Sequence, residues 1–189
     1  MRATAQMGTG LLSVVILACG GPLDTSAPDR GAVFVGPRTA DAGVGELVTG
    51  GGQFEHPVFG TVTFSFTATR HADGSVSGRF EQNQFDVGFS YKGNVTCFAV
   101  DPVNHRAWIG GVLTQSNDPD PITEVGDDAW FRVLDLGSSN AGPDRSTFLG
   151  FEGGGGITTS EEYCAAKIWP DGNARTWPVE QGDIVIQKN

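Results

Sequence analysis

The tract at 61–70 constrains the fold more than any other part of the chain. It reads TVTFSFTATR, with Val62, Phe64, Phe66 and Ala68 on one parity and Thr61, Thr63, Ser65, Thr67 and Thr69 on the other. A period of two makes a β-strand with one dry face, because successive side chains of a strand point to opposite sides of its sheet. The tract HADGS at 71–75 follows, and Asp-Gly between two alternating runs is a strong hairpin signal. The return strand then puts Val76, Gly78 and Phe80 on the dry side and Ser77, Arg79 and Glu81 on the wet side.

The same pattern recurs downstream. Residues 85–101 place Phe85, Val87, Phe89, Tyr91, Val95, Cys97 and Ala99 on one parity, with Gly93 as a bend. A turn at 101–105 leads into 106–115 (RAWIGGVLTQ), and 127–136 (DDAWFRVLDL), 146–151 (STFLGF) and 179–187 (VEQGDIVIQ) follow. With 46–55 (ELVTGGGQFE) in front, the count is about eight strands joined by short connections, which predicts an all-β antiparallel meander. Glycines inside the strands, among them Gly50, Gly51, Gly52, Gly110 and Gly111, permit the sharp coiling that a closed sheet needs. A closed or nearly closed small barrel is therefore the expected fold, with a β-sandwich as second choice. One short helix is expected at 159–167 (TSEEYCAAK), where Thr159 or Ser160 caps and Glu161 and Glu162 suit the N-terminal dipole.

With 39% hydrophobic and 10% aromatic residues, the chain has the apolar content of a folded domain and not of a disordered one. Its formal charge of −10 excludes a sequence-independent grip on phosphates, so no nucleic-acid partner is expected.

The N-terminus has a different character. Residues 1–18 carry one charge, Arg2, and an apolar run at 11–18 that is too short for a bilayer-spanning helix of about 20 residues, so a cleaved export signal is predicted. The tract VILACG at 15–20 resembles the lipobox of bacterial prolipoproteins. That resemblance implies lipidation of Cys19, which becomes the mature N-terminus, and anchoring to the cell envelope. Gly20 after the cysteine implies outer-membrane sorting in a Gram-negative cell. Residues 19–45, rich in Gly, Ala, Pro and Asp, are expected to form a flexible tether, and residues 46–189 the β-domain. The mature chain is acidic and gains nothing from anionic lipid, which leaves the acyl chains as its membrane partner.

Three cysteines are an odd number for an exported chain. With Cys19 acylated, Cys97 and Cys164 remain, and an oxidising compartment favours joining them. Closing a loop over their separation of 67 residues is worth about 3–4 kcal/mol in the chain-entropy account.

Several tracts over 48–187 are similar to a family of uncharacterised exported bacterial β-domains: VTGGGQF at 48–54, DGSVSG at 73–78, GNVTCFAVD at 93–101, RAWIGGVLT at 106–114, FRVLDLG at 131–137 and PVEQGDIVIQ at 178–187. The resemblance implies an exported β-domain and carries no catalytic residues. The turn at 101–105 and the segment 165–176 depart from it.

The candidates for chemistry are sparse. His56 ends the first strand at one rim, whereas His71 and His105 follow strands at the other, so the three do not meet. A two-His site with Asp73 or Asp101 is outweighed by solvated turn histidines. No G-x-S-x-G nucleophile elbow occurs, and the Gly-rich strings at 50–52 and 153–156 lack the Lys and Ser/Thr of a phosphate loop. The loop at 116–128 holds Asp118, Asp120, Glu124, Asp127 and Asp128 without the order of an EF-hand, and reads as a solvated acidic loop. Trp108, Trp130, Trp169 and Trp177 offer surfaces for stacking on sugars or for lining an apolar pocket, and the two that belong to strands, Trp108 and Trp130, read as core. The expectation is a non-enzymatic, lipid-tethered β-module for envelope structure or partner binding, with no metal and no cofactor. The alternative is a carrier for a small apolar ligand with its pocket in the barrel mouth, lined by Phe64, Phe66, Phe80 and Phe89.

Overall fold

The structure, a computed structural model, describes residues 44–137, 141–150 and 156–188. The export signal, Cys19 and the tether up to residue 43 lie outside the described residues. The elements in chain order are β1 (Val44–His56), β2 (Gly60–His71), β3 (Val76–Gln84), β4 (Phe89–Asp101), β5 (Arg106–Ser116), β6 (Asp128–Leu134), β7 (Arg145–Ser146), α1 (Ser160–Ala166), a 3-10 turn (Asp171–Asn173), β8 (Trp177–Pro178) and β9 (Gln181–Lys188).

The strands form one antiparallel sheet in the order β8-β7-β6-β5-β4-β3-β2-β1-β9, curled into a half-barrel. Its topology forces the curl. β8 and β9 stand at opposite ends of that order, yet only Val179 and Glu180 separate them in sequence. At ~3.3 Å per residue the two edges therefore approach to roughly 10 Å. Carboxylates help to close the seam. Asp144 accepts from Ile184 N at 2.7 Å and Leu136 N at 2.8 Å, and Asp135 accepts from Ile186 N at 3.0 Å and Gly137 N at 2.8 Å. The outward amides of β9, which the two-residue β7 and β8 are too short to pair, thus find acceptors, as buried backbone donors must.

The concave side holds the core. In β2 the alternation appears as predicted: Val62, Phe64, Phe66 and Ala68 are buried, paired through β3 at Phe66↔Phe80 and through β1 at Phe66↔Gly50. Phe66 and Phe80 both meet Phe131 of β6 edge-on, at ring centroids 5.2 and 6.0 Å apart. The predicted hairpin at 71–75 is present, with Gly74 at φ 84° and the Asp73 carboxylate accepting from Ser75 N at 2.8 Å. The Ser75 hydroxyl, which donates to the same carboxylate at 2.6 Å, and then the Ser75 amide hold the Asp73 carboxyl below its ordinary pKa.

Two expectations for β4 are corrected. Phe85 and Val87 do not belong to the strand: residues 85–88 form the β3–β4 turn and both side chains are exposed. Cys97 and Ala99 do not share the face of Tyr91 and Val95. The register with β5 shifts between Val95 and Cys97, and such a bulge flips the parity, so Phe98 enters the core while Cys97 and Ala99 turn outward. The strand expected at 146–151 is reduced to Arg145–Ser146, and Phe151 lies outside the described residues.

A second layer covers the convex side of β5 and β6. Trp108 and Trp130 point away from the concave core and pack with Tyr163 of α1. Thr159 caps α1 by accepting from Glu162 N, and Lys167 ends it in the left-handed conformation at φ 49°. The Trp108 indole donates to Ile168 O at 2.8 Å. Cys97 and Cys164 form a disulfide with Cα atoms 6.2 Å apart, so the β4 bulge is what turns Cys97 toward the helix.

Candidate functional site

Alternate connections of an antiparallel meander share one end. Residues 57–59, 85–88 and 117–127 accordingly close the same end of the half-barrel, its mouth. A recess of about 230 Å³ opens there. Its apolar wall comes from Phe59, Phe89, Ile122, Phe148 and Leu149, and its polar side chains include Gln84, Tyr91, Asp118 and Asp120.

The polar groups are placed by strand parity. Along β3 the inward positions run Phe80, Gln82, Gln84, so two amides continue an apolar row into the mouth. Gln82 Oε1 accepts from Leu149 N at 2.6 Å and fixes the chain beside the recess. Gln84 is 2% exposed, and its Oε1 has no hydrogen-bond partner among the described residues. Leaving a buried acceptor unpaired costs about 1–3 kcal/mol. Tyr91, from the inward row of β4, donates its hydroxyl to Asp118 Oδ2 at 2.6 Å. Burial first, and the Asp118 carboxylate second, push the Tyr91 hydroxyl far above its ordinary pKa, so it remains a donor. Asp118 Oδ1 accepts from Asp120 N at 3.0 Å. A carboxylate offers about four acceptor positions, so Asp118 keeps capacity for a further donor.

The loop is anchored at its start, where Asn117 accepts from Ser90 N at 2.6 Å and donates to Gly88 O at 3.0 Å. On the other side Phe59 stacks on His56 at 4.6 Å, and Phe148 and Trp177 pack on the same imidazole at 5.1 and 4.3 Å. His56 Nδ1 accepts from Val58 N at 3.1 Å and Phe59 N at 3.2 Å, which shapes the β1–β2 turn. Burial lowers the His56 pKa and favours the neutral ring. Seven large hydrophobic side chains are exposed among the described residues, and five of them, Val58, Phe85, Val87, Ile122 and Val125, sit on the three mouth connections.

Of the phenylalanines expected to line a pocket, only Phe89 reaches the mouth recess; Phe64, Phe66 and Phe80 are buried in the core. Phe66 and Phe80 also lie under a broader groove of about 760 Å³ across the outer face, whose walls include Thr67, Arg79, Lys92 and Asn94. Lys92 pairs there with Glu81 at 3.3 Å. His71 hydrogen-bonds Ser77 at the far rim, and His105 occupies the β4–β5 turn at φ 54°. Among the described residues, no group of three or more His, Cys, Asp or Glu side chains gathers as a metal site. Trp169 lies under the guanidinium groups of Arg106 and Arg132. The reading from sequence missed Gln84 and the Tyr91–Asp118 pair. Polar residues at 82 and 84 on the dry parity of β3 were the available signal.

No protein-family model, curated protein or solved structure matches this chain.

Proposed function

We propose that this chain is a cell-envelope lipoprotein, anchored through Cys19, whose β-domain is a non-enzymatic module that binds a partner at its mouth. The observation that carries the reading is the concentration of exposed apolar side chains on the mouth connections, with Val103 and Ile168 the large exposed hydrophobics elsewhere among the described residues. Exposed apolar clusters bounded by polar residues mark interaction surfaces. The sequence supports the anchor through VILACG at 15–20 and through the even cysteine count left once Cys19 is set aside. Cell fractionation tests it: the wild-type chain partitions with membranes and Cys19→Ser moves to the soluble fraction. Unchanged partitioning of Cys19→Ser overturns the anchor.

A second reading, a carrier for a small ligand, is favoured by the recess of about 230 Å³ with its apolar wall. The two readings share a surface and differ in what occupies it.

A further inference from the structure

We propose that His56 is an acid-sensitive latch on the mouth: the neutral imidazole pins the β1–β2 turn, and its protonation frees that turn together with the Phe59 wall of the recess. The inference goes beyond both functional readings, since it concerns how the surface they share is opened.

The latch is a shared acceptor. His56 Nδ1 lies 3.1 Å from Val58 N and 3.2 Å from Phe59 N, and backbone amides only donate. Nδ1 therefore carries its lone pair, which places the one proton of the neutral ring on Nε2. A second proton goes to Nδ1 and sets a donor against two donors. Turning the ring over does not restore the bonds, because it puts carbon where Nδ1 stood. Neither amide has another acceptor among the described residues.

The turn is built to respond. Only residues 57–59 separate the last pair of the two strands, His56↔Gly60, and Gly60 stands at φ 63° as a hinge on the far side. Val58 is 71% exposed, so water meets the amides once the turn loosens. Phe59 stacks on the imidazole and belongs to the apolar wall of the recess. The other neighbours of the ring, Phe148 and Trp177, are also aromatic, and aromatic faces attract a cation. Protonation is therefore within reach before the fold is lost, and its cost falls on the two amides.

No described charge competes for the ring. On β1, Glu55 is exposed and accepts from the Thr61 hydroxyl at 2.7 Å. The Asp86 carboxylate lies against Gly60, and Asp118 and Asp120 line the recess beyond Phe59 and Phe148. Arg145 of β7 is committed to Thr176, Asp144 to the amides of Leu136 and Ile184, and Glu180 after β8 is exposed. None of these charges shifts the His56 pKa; burial lowers it. The latch is closed above the ordinary value of about 6.5 and opens as pH falls through the lowered one.

NMR titration and amide-resolved hydrogen exchange of the full chain between about pH 8 and about pH 4 follow the His56 ring and the amides of Val58 and Phe59 together. One midpoint below about 6.5 is expected for all three. Protection of both amides should fall about two- to tenfold, the net worth of one hydrogen bond. The amide of Lys167, bonded to Tyr163 O in α1, should not change. His56→Asn keeps an acceptor without a titration, so both amides should stay protected throughout. His56→Phe keeps the aromatic packing without an acceptor, so both should be unprotected already at neutral pH. Should His56→Phe fail to fold, the wild type and His56→Asn decide alone.

Three results would each overturn the latch: protection that falls equally in His56→Asn, amides that ignore the titration of the ring, or an imidazole that stays neutral until the whole domain unfolds. The measurements use no partner or ligand, so neither functional reading falls with them.

Discussion

Phe80 and Gly93 should be energetically inseparable. Gly93 has ordinary extended backbone in β4, so its glycine is not required by φ. What requires it is Phe80: a Cβ built at Gly93 would meet the Phe80 ring atoms Cζ, Cε1 and Cε2, with Cε2 at 2.6 Å, far inside contact distance. Gly93→Ala must therefore displace a ring that is 4% exposed and packed on Phe131. Overpacking of this kind costs about 1–3 kcal/mol. Phe80→Leu deletes all three clashing atoms at a cost of about 1–2 kcal/mol, the low end for a large-to-small core change. In that background Gly93→Ala should turn neutral or stabilising by about 0.5–1 kcal/mol, the usual gain from replacing a strand glycine. The expected coupling is about 1–4 kcal/mol. Urea unfolding of the four proteins measures it, since with a slope of about 1–3 kcal/mol per molar a coupling of this size moves the midpoint visibly. If Gly93→Ala costs the same in both backgrounds, to within about 0.5 kcal/mol, the packing argument is wrong.

Other consequences concern the core, the seam and the mouth. Phe66→Ala, at a site 4% exposed, should cost about 3–5 kcal/mol in thermal or urea unfolding, while His71→Ala and His105→Ala stay within about 0.5 kcal/mol. Asp144→Ala leaves the amides of Leu136 and Ile184 without their acceptor; it should cost about 2–5 kcal/mol and make the β9 amides the first to lose hydrogen-exchange protection. The His56 pKa is lowered in the folded chain, so the unfolded chain binds the proton more readily. The contribution of His56 is full above its ordinary pKa of about 6.5 and is lost as pH falls through the lowered value. His56→Asn keeps an acceptor near Nδ1 and removes the titration, so the melting temperature of wild type should fall more steeply than that of the variant below about pH 6.5.

The alternation at 61–70 and the Asp-Gly turn were legible because strand parity and turn chemistry are local, and the capped helix near Cys164 was legible for the same reason. The bulge in β4 was not. One extra residue between Val95 and Cys97 reverses a face, and nothing in VTCFA distinguishes a continuous parity from an interrupted one. Phe85 and Val87 misled because apolar residues usually mean a strand, whereas here they top a turn at the mouth. The recess itself was out of reach for a third reason. Tyr91 and Asp118 are 27 residues apart and meet only once the β5–β6 loop folds back over β4. The seam is of the same kind, since Asp135 and Asp144 serve a strand about fifty and forty residues further along the chain.

The intact mass of the mature protein, extracted from membranes and kept unreduced, tests the anchored module most directly. The expected chain begins at Cys19, carries acyl mass on that residue alone, and is lighter by two hydrogens for the Cys97–Cys164 bond. A mature chain that begins elsewhere without acyl mass would show that the module is not anchored through Cys19.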